Sequence, residues 1–172
     1  MTSDALRELQ SPLKARYRED PRAALITLTA SGALDGEGIA CSVETGKALV
    51  KAGLHPATGG DGAFACSGDM LLQALAACAG VTLKAVATAL GVHIREGQVR
   101  VEGDLDFRGT LGVDKTAPVG FANIRLRFML DTDADEATLE SLLKLTERYC
   151  VVLQTLARPA ALKASIARTG AA

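Results

Sequence analysis

Residues 67–90 constrain the fold of this chain more than any other segment. Leu71, Leu75, Cys78, Thr82 and Val86 recur at about 100° per residue, with Leu72, Ala79, Leu83 and Leu90 on the adjoining stripe. The pattern predicts one long helix. Ser67 is placed to cap its first free amides, Asp69 suits the positive end of its dipole, and Gly91 is placed to end it in a left-handed conformation. A stripe this wide predicts a helix that is mostly buried and needs cover on more than one side. A second subunit is one natural source of that cover.

The flanking segments predict what packs on it. Leu6, Leu9 and Leu13 mark a helix over residues 3–18, with Pro12 as a kink and Pro21 as the stop. Residues 24–30 are rich in strand formers and end at Ser31-Gly32; residues 34–38 form a turn, residues 39–45 a return strand and residues 47–51 a third. The Gly- and Pro-rich stretch 55–63 is a loop. Beyond the long helix, residues 93–107 and 121–130 alternate apolar and polar side chains, with Gly97 and Gly103 as turn or bulge sites and residues 109–120 as a loop. Asp133-Ala134-Asp135-Glu136 is a capping box for a helix that turns Leu139, Leu142, Leu143, Thr146 and Cys150 to one side. Pro159 ends that region and residues 161–168 read as a closing strand. Strands and helices are clustered rather than alternating, which predicts an α+β fold with a mainly antiparallel sheet.

Composition narrows the functional classes. With 19 basic and 20 acidic residues in mixed order, the chain carries no electrostatic footprint for nucleic acid or an anionic membrane surface. No uninterrupted apolar run reaches the roughly 20 residues of a membrane span. The N-terminal residues lack the apolar stretch of a secretory signal, which predicts a cytoplasmic protein in which cysteines serve packing, sensing or catalysis rather than permanent disulfides.

Four cysteines, at 41, 66, 78 and 150, and two histidines, His55 and His93, form no metal-ligand spacing. Cys66-Ser67-Gly68 is not a nucleophile elbow, and Gly59-Gly60-Asp61-Gly62 lacks the lysine of a phosphate-binding loop. Cys66 precedes the long helix and is better placed than Cys78 to feel its dipole. Cys78 and Cys150 each lie in an apolar helical pattern, 72 positions apart. The pattern leaves two readings open: small core residues, or a redox pair assembled by the fold.

Ser67-Gly68-Asp69-Met70-Leu71-Leu72-Gln73-Ala74-Leu75-Ala76-Ala77-Cys78 resembles the central-helix motif of the OsmC/Ohr family of hydroperoxide reductases. Glu147-Arg148-Tyr149-Cys150-Val151-Val152-Leu153-Gln154-Thr155-Leu156 resembles that family's second cysteine segment, and residues 56–62 its glycine-rich approach to the helix. The resemblance spans residues 24–168 in element order. It implies an OsmC-like α+β fold, an antiparallel sheet wrapped on a long central helix, and an intertwined homodimer. Residues 1–20 lie outside the resemblance and are expected to be an N-terminal helical extension, with 21–172 as a single OsmC-like domain. The implied activity is thiol-dependent reduction of organic hydroperoxides, with Cys78 as peroxidatic and Cys150 as resolving residue. An external dithiol, such as a lipoyl protein, is the implied reductant, with no flavin, haem or metal cofactor.

Two positions depart from the family pattern. The hydroperoxide-reducing branch has a glutamate ten residues before the reactive cysteine, where this chain has Gly68; Asp69 beside it is the candidate substitute. The usual proline after the second cysteine is Val151. A buried thiol far from its helix start needs a cation to ionise it, and Arg22, Arg108 and Arg148 are the candidates, with Arg148 nearest to Cys150 in sequence. The alternative reading is a non-catalytic family member that binds a small molecule or serves in stress while retaining the thiol pair.

Overall fold

The computed structural model describes residues 2–5, 8, 11, 19, 31–34, 40–44, 49–112 and 114–168. Of the N-terminal helix expected over 3–18, residues 3–5, 8 and 11 are helical; the rest, and the strand expected over 24–30, lie outside the described residues.

The strands β1 (Ser31–Leu34), β2 (Ala40–Glu44), β3 (Leu49–Gly53) and β4 (Ala65–Cys66) form one sheet in that order. The first three are antiparallel neighbours, and β4 joins β3 in parallel through Ala52↔Ala65 and Gly53↔Cys66. Ser31 and Gly32, expected to end a strand, lie inside β1, and the third strand runs two residues later than its composition predicted. Their backbone bonds to β2 decide the matter, and those bonds are set by register rather than local preference.

Helix α1 (Ser67–Leu90) follows directly from β4. Its cap is Cys66, which makes no side-chain cap bond, and Ser67 is the first helical residue instead of the cap. Gly91 closes the helix at φ 72° with its N–H on the Ala87 and Thr88 carbonyls, a conformation that a side chain would strain. A second, two-stranded antiparallel sheet pairs β5 (Ile94–Leu105) with β6 (Phe121–Thr132). Gly97 and Gly103 sit in register within it, and the irregularities fall beside them at Ile94/Glu96 and Asp104/Leu105. Gly103 is required for another reason: a Cβ there would meet the Phe121 ring at 2.5 Å. Phe107, expected to extend β5, instead opens the single turn α2 (Phe107–Thr110), whose cap Asp106 accepts the Arg108 N–H at 3.1 Å.

Helix α3 (Glu136–Tyr149) is capped by Asp135, not Asp133: the Asp135 carboxylate accepts the Thr138 N–H at 2.8 Å. A further helix, α4 (Val151–Ala157), begins one residue after α3 ends. Residues 161–168, expected to be a closing strand, form no regular element, and all are exposed. Alternation supplies a face; without a neighbouring edge to take its hydrogen bonds it does not make a strand.

The core is one layer deep. Leu75, Ala79, Leu83 and Ala87, four residues apart on α1, are buried beneath the β5–β6 ribbon on one side and α3 and α4 on the other. The other faces of α1 are half-buried or exposed, with Val81 73% exposed, so the helix is not mostly buried as its wide stripe predicted. By length and composition α1 is also the one helix among the described residues that could cross a membrane. Gln73, Thr82, Lys84 and Thr88 interrupt its apolar run without making it polar on average, and its buried stripe identifies it as the helix around which the domain packs.

Candidate thiol site

The two cysteines singled out in the sequence meet at one end of this core. Cys78 is half-buried on α1; Cys150 is fully buried, and both are free thiols. Leu75, Ala79 and Cys150 form a buried cluster with Cys78, Val101, Ile124, Phe128, Val152 and Leu153 packed around it.

Cys150 is not part of a helix. It is the hinge between two, with extended backbone at φ −74°, ψ 107°. Its N–H closes α3 on the Thr146 carbonyl at 3.0 Å, and its carbonyl accepts the Gln154 N–H of α4 at 2.9 Å. The Gln154 side chain also donates to the Glu147 carbonyl at 2.8 Å, which holds the bend from the far side. The reversal turns the first amides of α4, which have no partner within their own helix, toward α1.

Those amides set the electrostatics. Removal from water pushes the Cys78 thiol up. The Val152 N–H, the Cys150 thiol, the Val151 N–H and the Thr82 hydroxyl act the other way, in that order, and together hold it below the ordinary thiol range. The Thr82 hydroxyl also donates to the Cys78 carbonyl at 2.8 Å, so its one proton is shared and its effect is the smallest. Cys150 goes in the opposite direction. Its burial pushes it up, the Leu153 and Val152 amides offset this only in part, and a hydrogen bond to Cys78 and the negative charge there push it higher. One sulfur is biased toward thiolate while its neighbour keeps a proton to donate.

No cation takes part in this among the described residues. Arg108 is paired with Asp106 and Asp114 on the surface. Arg148 lies over the Tyr149 ring at 5.6 Å, on an exposed turn of α3. Arg22 lies outside the described residues. Asp69 is exposed and borders the pockets at the start of α1, about 14 Å along the helix from Cys78 at 1.5 Å per residue. Neither Asp69 nor Arg148 joins the thiol pair. Position 68 is equally distant: a Cβ on Gly68 would meet Phe121, Cys66 and Leu105, so a carboxylate there cannot reach Cys78 of the same chain.

The functional groups that sequence reasoning missed are the amides of Val151 and Val152. Val151 counted only as a missing proline. A proline at a first helical position has no N–H to give, whereas Val151 gives one to Cys78. The helix start went unread because its cap is a cysteine rather than Ser, Thr, Asp or Asn.

The other candidates are accounted for. His55 caps the turn Pro56–Thr58 through Nδ1, which accepts the Ala57 N–H at 3.0 Å, and it stacks on Phe107 at 4.9 Å. His93 is exposed before β5, with its carbonyl bonded to the Thr132 hydroxyl at 2.6 Å. Cys66 is half-buried at the start of α1, and Cys41 pairs in β2 with Leu34 and Ala52. Among the described residues, no three His, Cys, Asp or Glu side chains are grouped to hold a metal ion.

An α+β fold that turns one cysteine toward thiolate against a second, protonated one defines a paired-thiol protein. The chain belongs to the OsmC-like protein family, whose model matches residues 60–165. Its fold is similar to that of an OsmC-like protein from Mycoplasma pneumoniae (TM-score 0.64, 17% identity, 78% of this chain and 89% of that one). It is also similar to the organic hydroperoxide resistance protein OsmC of Legionella pneumophila (TM-score 0.60, 17% identity, 78% and 91%). The organic hydroperoxide resistance protein OhrB of Bacillus subtilis is a further neighbour (TM-score 0.52, 18% identity, 77% and 93%). No curated protein matches the chain.

Proposed function

We propose that this protein is a thiol-dependent peroxidase that reduces organic hydroperoxides, acting as a homodimer. The observation that carries the reading is the contact between Cys78 and Cys150 with their proton affinities displaced in opposite directions. The Cys78 thiolate attacks the terminal oxygen of ROOH. The O–O bond breaks, the oxygen stays on Cys78 as a sulfenic acid, and RO⁻ takes a proton to leave as ROH. The Cys150 sulfur then attacks the sulfenic sulfur, an S–S bond forms, and hydroxide leaves with the Cys150 proton as water. An external dithiol, such as a lipoyl group, returns the disulfide to two thiols and leaves oxidised.

The apolar surroundings of Cys78, with Val101, Ile124 and Phe128 close by, favour hydroperoxides with alkyl or aromatic groups over hydrogen peroxide. Membership of a family with solved members named organic hydroperoxide resistance proteins supports the same reading. The competing reading, a non-catalytic binding or stress protein that keeps the thiol pair, draws on Gly68, on Val151 in place of the proline, and on the lack, among the described residues, of a cation acting on Cys78.

Treatment with cumene hydroperoxide and subsequent mass spectrometry separates the two. A Cys78–Cys150 disulfide, and turnover with a dithiol that falls at least about 1,000-fold in Cys78→Ser, is the expected result. Two unmodified thiols, or a wild type no faster than Cys78→Ser, would select the binding protein.

A further inference from the structure

Closing a Cys78–Cys150 disulfide needs no reagent but the peroxide; opening it needs a dithiol to reach a sulfur. The dithiol attacks one of the two sulfurs and expels the other, and the sulfur with the lower proton affinity leaves faster. That sulfur is Cys78, held below the ordinary thiol range against its burial by the Val152 amide first, while burial above all pushes Cys150 up. Leaving-group chemistry therefore directs the dithiol to Cys150. Burial bars the way: Cys150 is 0% exposed, whereas Cys78 is only half-buried.

The walls around Cys150 are unequally firm. Leu75 and Ala79 lie in the first half of the 24-residue α1, and Val101, Ile124 and Phe128 belong to the paired β5–β6 ribbon. The helix α4 is different. It has seven residues, none of them fully buried, and lays Val152, Leu153 and Leu156 on the cluster. It starts from the extended backbone of Cys150, and residues 158–168 beyond it are exposed and belong to no regular element. A change of φ and ψ at Cys150 moves this helix and leaves the other elements in place.

Among the described residues, one polar side chain of α4 bonds to another helix. It is Gln154, whose Nε2 donates to the Glu147 carbonyl at 2.8 Å. That carbonyl lies in the last turn of α3, where the helix has no further N–H of its own to offer. Thr155, the other polar residue of α4, gives its hydroxyl to the Val151 carbonyl of the same helix at 2.8 Å. Gln154 alone spans the hinge with its side chain.

We infer that α4 is a gate over the Cys150 sulfur, hinged at Cys150 and latched by Gln154, which opens to admit the reducing dithiol at Cys150. The inference rests on the peroxidase reading and deepens its reductive half. The first thiolate of the dithiol attacks Cys150 Sγ; the protein's S–S bond breaks and its electron pair leaves on Cys78. The second thiolate then attacks the first sulfur of the dithiol, the mixed disulfide breaks, and its electron pair returns to Cys150. One of the dithiol's two protons ends on Cys150 and the other on Cys78 or in the solvent, and the dithiol is left as a cyclic disulfide. Gln154 touches neither sulfur and is a positioning residue. The peroxide meets the half-buried Cys78 with the gate shut.

The test uses the full chain oxidised with diamide, so that the disulfide forms without hydroperoxide. Brief treatment of the wild type with 2-mercaptoethanol, a monothiol, is quenched with iodoacetamide. Peptide mass spectrometry should find the mercaptoethanol adduct on Cys150 and the carbamidomethyl group on Cys78. Gln154→Met keeps the length of the side chain and removes the donor. It should speed reduction of the disulfide by dihydrolipoamide about fivefold, the weight of one hydrogen bond on the opening equilibrium, while Thr155→Ala should change the rate less than about twofold. The gate stays shut most of the time in both proteins, so alkylation of reduced Cys78 should differ between Gln154→Met and wild type by less than about twofold. An adduct on Cys78, or Gln154→Met no faster than Thr155→Ala, would overturn the inference. These readouts involve no hydroperoxide, so their failure leaves the peroxidase reading to its own experiment.

Discussion

The two ends of the core are built from the same parts and finish differently. At the thiol end, α1, the β5–β6 ribbon and α4 close around Cys150 until nothing of it reaches solvent. At the other end, α1, β6 and α3 bury Leu83, Ala87 and Leu142 but leave a groove beside them. Phe128 packs against both clusters. The difference arises from the path of the chain beyond α3. The reversal at Cys150 folds α4 back over the thiols, while residues 158–168, beyond α4, are all exposed. The contrast is between a covered thiol pair and a core that stays open to a groove on its other side.

The comparison has energetic consequences that differ in size. Leu75 and Leu142 are equally inaccessible, 2% and 1% exposed, but truncation at each leaves a different void. Leu75→Ala opens a closed cavity and should cost about 3–5 kcal/mol; Leu142→Ala enlarges a groove that water can enter and should cost about 2–3 kcal/mol. Urea denaturation of the two variants measures the gap, and equal losses would mean the groove is closed in solution. A smaller effect is expected at the thiol end. Val151→Pro keeps a residue suited to a first helical position but removes one N–H from Cys78. The Cys78 pKa should rise, and its alkylation at neutral pH should slow by up to about tenfold, the weight of one hydrogen bond to a charged sulfur. An unchanged rate would assign the activation to Val152 alone.

The smallest effect is a pH dependence of stability with two limbs. Cys78 has its folded pKa lowered, so the unfolded chain holds the proton more tightly; its contribution is complete above the unfolded thiol pKa and is lost as pH falls through the folded value. Cys150 has its folded pKa raised; its contribution is complete below the unfolded pKa and is lost as pH rises toward the folded value. Together they place the greatest stability near the ordinary thiol pKa. Cys78→Ser should flatten the acid limb and Cys150→Ser the alkaline one, as read by denaturation midpoints across pH under reducing conditions.

Much of the site was legible, and the omissions have a common cause. The spacing of Leu75, Cys78 and Thr82 carried the helix that presents the nucleophile, and the resemblance carried the pairing of Cys78 with Cys150. Arg108 and Arg148 do not act on Cys78, and Arg22 lies outside the described residues. A buried thiol calls for positive potential, and side-chain reasoning looks for it among arginines; among the described residues it comes from backbone amides, which every residue except proline possesses and which no residue type marks. Asp69 drew attention as the neighbour of Gly68, where the family pattern has a glutamate, yet nine positions along the helix separate it from Cys78.

From the sequence alone came the elements whose signals are local: the length of α1, the alternation of β6, the glycine stop at Gly91, and the free thiols at defined places on helical faces. These depend on side-chain period and backbone preference, which a few neighbouring residues set. The tertiary structure alone decided the reversal at Cys150, the amides turned on Cys78, the half-open core and the unpaired run 161–168. Each of those depends on hydrogen bonds or apolar contacts between residues far apart in the chain, and such contacts have no period for a sequence to display.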